Sequence, residues 1–301
     1  LRENQRQRKV LAHMKQIIRI GSRASRLAVL QSELVMEQIR RILPDAELEL
    51  VTMKTTGAKI LNRTLDQIGG KGLILKELDA ALLAGAVDLC VHSLKDVPAE
   101  ENPAIPVGAF SERAVPADVL VLPAGVQTWD RTKPVGCASA RRSMQLRQLY
   151  PDVTVKPVRG NVLTRLEKLD RGEYGALILA EAGLARLGLS QRISARFSPE
   201  EMVPAAGQGI LAVQCRAGEY AALLEQLNDP DSALCARAER QFAAAAGGDC
   251  SAPVGCYARP NGDSITIYGF SGIGNTPRSA WISGRRTEAS VLAEQLAEQL
   301  K

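Results

Sequence analysis

Short apolar segments alternate with amphipathic helical segments along most of this chain of 301 residues, and this alternation limits the possible folds more than any other feature. Ile17–Gly21 has the pattern of a strand, and Ser22–Leu43 has the pattern of a turn followed by a helix with one apolar face. A second strand-and-helix series begins at Val119–Leu122 and runs to Ala176–Ala180. Alternation of this kind predicts α/β domains.

Two changes of pattern predict domain boundaries. Several prolines fall close together between Pro98 and Pro116, which favours a crossing between domains over a packed element. From about Ser232 the order becomes a helix, three strands and a last helix, as in a smaller α+β domain. The polar residues 1–15 are expected to be a disordered extension outside the fold.

Composition excludes several classes of protein. The first fifteen residues hold five basic side chains and one acidic one, so the net charge of +5 leaves 33 basic against 32 acidic side chains in the rest. A near-neutral body with 4% aromatic residues disfavours a nucleic-acid-binding module. No apolar run approaches the roughly 18 residues of a membrane span. We therefore expect a cytoplasmic protein that binds neither nucleic acid nor membrane.

Cysteine and histidine usage disfavours a disulfide framework and a metal site. Six cysteines in a chain without an export signal are more consistent with reduced thiols. Two histidines and the absence of a CxxC motif leave too few ligands for a metal centre, so none is predicted.

Arginines recur at the junctions between strands and helices. Ser139 is a good N-cap, which places Arg141 and Arg142 in the first helical turn, where the helix dipole disfavours cations. A bound carboxylate would remove this conflict, because free N–H groups and guanidinium groups both bind anions. Comparable junctions carry Arg23, Arg159 and Arg165. Any one of these could be a solvated surface arginine, but their recurrence favours a cleft that binds a polyanion.

Two further segments carry reactive groups. Lys95 and Asp96 follow a predicted strand and precede a proline, and an exposed ion pair in a loop is the alternative to a catalytic role. Cys250 lies in the glycine-containing turn Gly247–Pro253, where a large group could reach it. Spacing alone does not separate an accessible thiol from a buried, inert one.

Taken together, these segments resemble the hydroxymethylbilane synthase (porphobilinogen deaminase) family from about Ile17 to the end of the chain. No single run is specific, but their order and spacing are. The matching runs are Gly69–Gly72 with Lys76–Leu78, Val91–Pro98, Ala140–Arg142, Arg159–Asn161 with Thr164–Leu166, Ala182–Leu184 with Arg186–Gly188, Pro204–Gly209 and Gly248–Pro253.

The resemblance implies a fold and its domain limits. Two doubly wound domains like those of periplasmic binding proteins would face each other across a cleft, followed by a smaller α+β domain. The expected limits are residues 16–111 with 208–229 for domain 1, 112–207 for domain 2 and 230–301 for domain 3. The resemblance also implies a monomer.

The resemblance further implies a reaction and its site. Four porphobilinogen molecules would be joined on a dipyrromethane cofactor attached covalently to Cys250, and water would then release linear hydroxymethylbilane. Asp96 matches the family's catalytic aspartate. The residues that match cofactor contacts are Ser25, Lys95, Ser139, Arg141 and Arg142. The residues that match substrate-carboxylate contacts are Arg23, Arg159, Arg165 and Arg186.

Some positions depart from the family pattern. Ala58 and Asn62 stand where the family usually has aspartates, in a loop that would act as a lid. The arginines, Asp96 and Cys250 are all retained, so we expect activity. The main alternative is a non-enzymatic, two-domain anion-binding protein, which would account for the arginines but not for Asp96 or Cys250.

Overall fold

The structure is a computed structural model that describes residues 17–53, 75–248 and 252–301. Its contacts divide the chain into two compact units, Leu1–Glu112 with Ile210–Ala233 and Arg113–Gly209 with Leu234–Lys301. The second unit holds both the predicted domain 2 and the predicted domain 3, and their separation stays a prediction. The extension at residues 1–15 and the lid positions Ala58 and Asn62 lie outside the described residues. No helix in the described ranges is long and apolar enough to cross a membrane.

The secondary structure of the described residues alternates as the sequence predicts. The strands are β1 (Ile17–Arg23), β2 (Glu47–Met53), β3 (Leu89–Ser93), β4 (Val107–Phe110), β5 (Asp118–Val121), β6 (Val135–Gly136), β7 (Val155–Lys156), β8 (Ala176–Ala180), β9 (Ala195–Arg196), β10 (Leu211–Cys215), β11 (Val254–Asn261), β12 (Ser264–Ser271) and β13 (Arg278–Arg285). The helices are α1 (Arg26–Ile42), α2 (Lys76–Leu83), α3 (Ala140–Leu149), α4 (Val162–Asp170), α5 (Glu181–Arg186), α6 (Ala221–Leu227), α7 (Pro230–Ala245) and α8 (Ala289–Gln299).

The sheet of the first unit has the order β2-β1-β3-β10-β4. Strands β1, β2 and β3 are parallel, whereas β10 is antiparallel to both of its neighbours. Helices cover both faces: Val35 and Ile39 of α1 pack with Ile18, and Leu78 of α2 packs with Cys90 on the opposite face. The unit is therefore a doubly wound α/β layer structure.

The proline-rich segment corrects one sequence prediction. We expected residues 98–116 to cross between domains without a packed element, but β4 lies inside this segment and pairs with β10. The strand forms the edge of the sheet, and Pro106 immediately precedes it. Proline is tolerated at the edge or start of a strand, where its missing N–H removes no ladder hydrogen bond.

The second unit contains two sheets. One has the order β7-β6-β8-β5-β9, with β6, β7 and β8 parallel and β5 antiparallel to β8. The other is the antiparallel meander β11-β12-β13, against which Phe242 of α7 and Leu296 of α8 are fully buried. The predicted class, two doubly wound sheets with a smaller α+β portion at the end of the chain, is confirmed.

A buried ion pair ties α7 to its surroundings in the second unit. The Glu239 carboxylate has no solvent exposure and accepts hydrogen bonds from Arg113 Nη1 at 2.5 Å and Nη2 at 3.1 Å. It also accepts from the backbone N–H groups of Gly207 at 2.6 Å and Ala258 at 2.8 Å. The carboxylate thus joins three separate segments of the chain, which explains why a charge at this position is stable although buried.

Candidate active site

The first unit places Arg23 and Ser25 at the turn between β1 and α1. Ser25 caps the helix, since its side-chain oxygen accepts from the N–H of Ala28 at 3.3 Å. Arg23 is half-buried, and its Nε is buried without a hydrogen-bond partner among the described residues. An unpaired buried donor is costly, so this guanidinium is suited to an anionic ligand.

Lys95 and Asp96 follow directly from β3 in a short 3₁₀ turn. The apolar neighbours of the pair, Leu94 and Val97, are buried and hold the turn, while Lys95 and Asp96 are half-buried. Strands β1 and β3 are parallel neighbours, so their carboxyl ends lie at the same edge of the sheet. The turn with Asp96 and the turn with Arg23 therefore belong to one edge.

His92 lies in β3 just before this turn and is 4% exposed. Its Nε2 is 3.0 Å from the side-chain oxygen of Gln214 in β10. Burial lowers the pKa of His92 to about 4, the charge of Arg23 acts in the same direction, and the bond to Gln214 opposes them. The imidazole is consequently neutral at physiological pH.

In the second unit, three helices begin at the carboxyl ends of neighbouring parallel strands. Ser139 caps α3 by accepting from the N–H of Arg142 at 3.4 Å, as the sequence predicts, and Asn161 caps α4 by accepting from Thr164 at 2.9 Å. The strands β6, β7 and β8 precede α3, α4 and α5, so the three helix starts share one edge of the sheet. Arg141, Arg142, Arg159 and Arg165 lie near these helix starts, whereas Arg186 is the last residue of α5.

Arg141 and Arg142 are more deeply buried than the sequence indicates, at 3% and 7% exposure. Both bind the Asp118 carboxylate: Arg141 Nη1 lies 2.7 Å from Oδ2, and Arg142 donates to Oδ1 from Nη2 at 2.7 Å and Nε at 3.0 Å. Gln208 donates to the same Oδ1 at 2.8 Å. The Asp118 carboxylate thus partly offsets the unfavourable interaction between these two cations and the N-terminus of α3.

The electrostatics of Asp118 follow from these contacts. Burial alone would raise the pKa of its carboxyl group, but the two guanidinium groups outweigh burial and hold the pKa well below its usual range. Asp118 stands at the amino end of β5, opposite Ala180 in antiparallel β8, which is how it reaches the edge where the helices begin.

Arg159 and Arg165 flank the start of α4, and both are half-buried. Arg165 Nε donates to the carbonyl of Gly160 at 2.8 Å. Gly160 has a φ of +107°, and a Cβ atom at this position would lie 2.7 Å from the Thr164 methyl group. Glycine is therefore required for the turn between Arg159 and the start of α4.

Arg186 at the end of α5 is a half-buried cation that pairs with no carboxylate among the described residues. Its Nη2 donates to the carbonyl of Gly209 at 2.6 Å. Burial lowers the pKa of Arg186 to about 10. A guanidinium in this condition is stabilised by an anion, because burying an uncompensated charge is unfavourable.

Cys250 lies outside the described residues, between the end of α7 and the start of β11. The other cysteines of the chain are all buried free thiols. Burial raises the pKa of Cys215 to about 11 and also raises the pKa values of Cys90 and Cys256. Thiols of this kind are poor nucleophiles.

The predicted site residues thus fall into two groups, each described within its own unit. Arg23, Ser25, Lys95 and Asp96 belong to the first unit. The second unit contains Ser139, Arg141, Arg142, Arg159, Arg165 and Arg186. Sequence reasoning missed Asp118 and Gln208, although a carboxylate at the head of an apolar strand was a signal for Asp118.

Comparisons with known proteins show which family the chain resembles. Residues 18–223 match the family model described as porphobilinogen deaminase, dipyromethane cofactor binding domain, and residues 233–301 match the model of the porphobilinogen deaminase C-terminal domain. The porphobilinogen deaminase of Acetivibrio thermocellus is 54% identical over 253 residues, covering 84% of this chain and 87% of the relative. That of Ruminiclostridium josui is 48% identical over 286 residues, covering 94% and 97%.

Among solved structures, the periplasmic VFT2 domain of BvgS from Bordetella pertussis aligns with 74% of this chain and 90% of its own, at 14% identity and a TM-score of 0.43. The family models together span nearly all of the described residues, and they do not favour the alternative of a non-enzymatic anion-binding protein. The chain belongs to the porphobilinogen deaminase family.

Proposed function

We propose that this chain joins four porphobilinogen molecules into linear hydroxymethylbilane on a dipyrromethane primer held by Cys250, with Asp96 as the catalytic residue. In each addition the substrate's C–N bond breaks and ammonia leaves. A C–C bond then forms to the α-carbon at the end of the growing chain, which loses its proton. Water ends the sequence by cleaving the C–C bond between the first added ring and the primer, with its hydroxyl group going to the product and its proton to the primer's α-carbon.

The observation that carries this proposal is the pair of half-buried guanidinium groups without carboxylate partners among the described residues, Arg23 and Arg186. Each porphobilinogen unit bears an acetate and a propionate, so the primer and the added rings form a polyanion. Arginine suits this ligand because its planar fork binds a carboxylate through two hydrogen bonds.

The residues of the chain fit the dipyrromethane in the same way. When bound, this group supplies the free α-carbon to which the first substrate ring is joined. Arg141 and Arg142 both bind the Asp118 carboxylate at the start of α3, and we assign the two guanidinium groups to a carboxylate of the cofactor as well. We assign Ser25, Lys95 and Ser139 to further polar contacts with the cofactor.

Asp96 would stabilise positive charge on the substrate and would not act as a nucleophile. Loss of ammonia leaves a cationic substrate, and a carboxylate near the pyrrole N–H groups stabilises that charge as it develops. It can also hold the proton that is transferred during the addition. Buried Leu94 and Val97 anchor the backbone turn that carries Asp96.

We assign Arg23, Arg159, Arg165 and Arg186 to the substrate's carboxylates, and we expect a cytoplasmic monomer that binds neither nucleic acid nor membrane. Sedimentation at micromolar concentration tests the monomer. A concentration-dependent shift to a dimer would contradict it.

Intact mass under denaturing conditions tests the primer and its anchor. We expect an excess equal to two deaminated porphobilinogen units, lost in Cys250→Ser and retained in Cys215→Ser. The second variant is a matched control, because Cys215 is a buried thiol whose hydrogen bonds to the carbonyls of Arg216 and Glu219 a hydroxyl can keep.

Incubation with porphobilinogen completes the test. A chain purified without the excess mass is expected to acquire it and to release ammonia. If the chain remains unmodified and releases no ammonia, the proposed function is wrong.

A further inference from the structure

A row of polar groups crosses one face of the first sheet beside Asp96. It runs from Arg23 in β1 through His92 in β3 and Gln214 in β10 to the backbone carbonyl of Ile105. His92 is 4% exposed and Gln214 is 6% exposed. This row lies on the face that α2 covers, next to the apolar cluster that contains Leu78.

The direction of the hydrogen bonds along this row is fixed by chemistry. The Ile105 carbonyl can only accept, so the Gln214 side chain donates to it through Nε2 at 2.6 Å. The Gln214 side-chain oxygen must then be the acceptor at the other end of the amide. His92 Nε2 lies 3.0 Å from that oxygen and must therefore carry the proton.

The tautomer of His92 follows from this relay. A neutral imidazole has one N–H group and one bare nitrogen, so a proton on Nε2 leaves Nδ1 as a hydrogen-bond acceptor. A second proton is opposed by burial and by the positive charge of Arg23. The ring thus presents a lone pair, and not a charge, on the side opposite Gln214.

Arg23 stands on that side. The parallel register of β1 and β3 aligns Gly21 with Cys90, and continuing it by two residues aligns Arg23 with His92 on the same face. Side chains aligned in this way point to the same side of a sheet. The Nε of Arg23 is buried and has no hydrogen-bond partner among the described residues.

We propose that His92 is a positioning residue for Arg23: the relay from the Ile105 carbonyl keeps the ring neutral with its Nδ1 lone pair on the Arg23 side, and this favours the guanidinium orientations that reach the substrate's carboxylate. This inference rests on the proposed function for its catalytic consequence, but not for its structural part. A flipped or charged ring would point an N–H group at Arg23 and repel the guanidinium. We therefore expect the tautomer of His92 to affect substrate binding and not the chemical step.

The structural part is tested by imidazole ¹⁵N NMR of the ¹⁵N-labelled chain. The protein has two histidines, so His13→Gln leaves His92 as a single imidazole signal. We expect the neutral Nε2–H tautomer at pH 7, and a mixture of tautomers in Gln214→Leu. An Nδ1–H tautomer or a charged ring in the wild-type chain would overturn the proposal whether or not the chain is an enzyme.

The functional part is tested by steady-state kinetics of three variants. His92→Asn keeps an acceptor near the position of Nδ1, whereas His92→Gln and His92→Phe do not. We expect KM for porphobilinogen to rise roughly tenfold in the last two, as for loss of one bond to a charged group, with kcat little changed. His92→Asn should recover most of the loss.

The Arg23 Nε–H signal, assigned with Arg23→Lys, provides a readout that does not require activity. It should shift in His92→Phe and return in His92→Asn, provided that thermal melts show both variants folded. An unshifted signal, or equal KM values in all three variants, would overturn the positioning role.

Discussion

Replacing Asp118 by asparagine tests the balance of charge at the start of α3. The carboxylate has no solvent exposure and is bound by Arg141, Arg142 and Gln208. Asparagine keeps the size and one acceptor oxygen but leaves two buried guanidinium groups without their shared counter-ion. Breaking a buried pair in this way costs about 3–5 kcal/mol. That is a large part of the roughly 5–15 kcal/mol that stabilise a folded protein.

Urea unfolding followed by tryptophan fluorescence measures this loss. Trp129 lies in the second unit and packs edge-on against Tyr150 at 5.0 Å, and Trp281→Phe makes it the single probe. With a slope of about 2 kcal/mol per molar urea, Asp118→Asn should lower the midpoint by about 2 M. Asp152→Asn is the matched control, since this aspartate is 62% exposed and should leave the midpoint nearly unchanged.

A second substitution separates charge from shape. Arg142→Met in the Asp118→Asn background removes one of the two buried charges that Asp118 binds, so the double variant should be more stable than Asp118→Asn alone. The reasoning is refuted if Asp118→Asn shifts the midpoint by less than about 0.5 M at an unchanged slope. It is also refuted if the double variant shows no recovery.

Three other predictions concern ionisable groups that are buried or half-buried. Arg186→Met should raise KM for porphobilinogen roughly tenfold or more in steady-state kinetics without lowering the urea midpoint, because it removes a half-buried cation that has no carboxylate partner among the described residues; an unchanged KM would contradict its assignment. The folded pKa of His92, about 4, lies below the usual value of 6.5, so the unfolded chain binds more protons between these values and stability falls as the pH falls. Between pH 7 and pH 4 the free energy of unfolding, measured with urea, should fall by about 3 kcal/mol more in the wild-type chain than in His92→Asn. Equal pH dependence in the two proteins would contradict the prediction. Glu239→Gln should cost about 3–5 kcal/mol by leaving Arg113 unpaired, whereas the exposed Glu294→Gln should cost little; similar urea midpoints for the two variants would contradict the role of the buried pair.

Local features of the fold could be predicted because their causes are local. Ser139 caps α3 as predicted, and Gly172 follows α4 with a φ of +81°. A cap depends on a few consecutive residues and on a helix that has begun or ended, so the sequence contains all the information needed. The strand β8 was predicted with both of its ends correct, since its apolar run is bounded by polar and glycine residues.

The partners of the site residues could not be predicted in the same way. Arg141 and Arg142 were correctly placed in the first turn of α3, but Asp118 lies 23 and 24 residues earlier in the chain. It reaches them only because β5 runs antiparallel to β8. Strand direction within a sheet is decided by the connections of the whole unit and is not written in any short pattern.

Strand β4 was missed because its four residues are short and lie among prolines. Its partner β10 begins about a hundred residues later in the chain, so no local periodicity could show the pairing. The roles of Asp96 and Cys250 were assigned by resemblance alone, since an adjacent lysine and aspartate or a lone cysteine has many uses.

The antiparallel pairing of β4 with β10 has a consequence for the chain's architecture. Backbone hydrogen bonds join the two ends of the segment 113–209. Just outside the segment the Ser111 N–H donates to the Leu211 carbonyl at 2.9 Å, and just inside it the Ala114 N–H donates to the Gly209 carbonyl at 3.2 Å. The whole segment therefore starts and finishes almost at one point, as an insertion in the loop of a β-hairpin does. A tight turn in place of this segment would leave β4 and β10 as an ordinary hairpin, and the first unit would then be one continuous stretch of sequence.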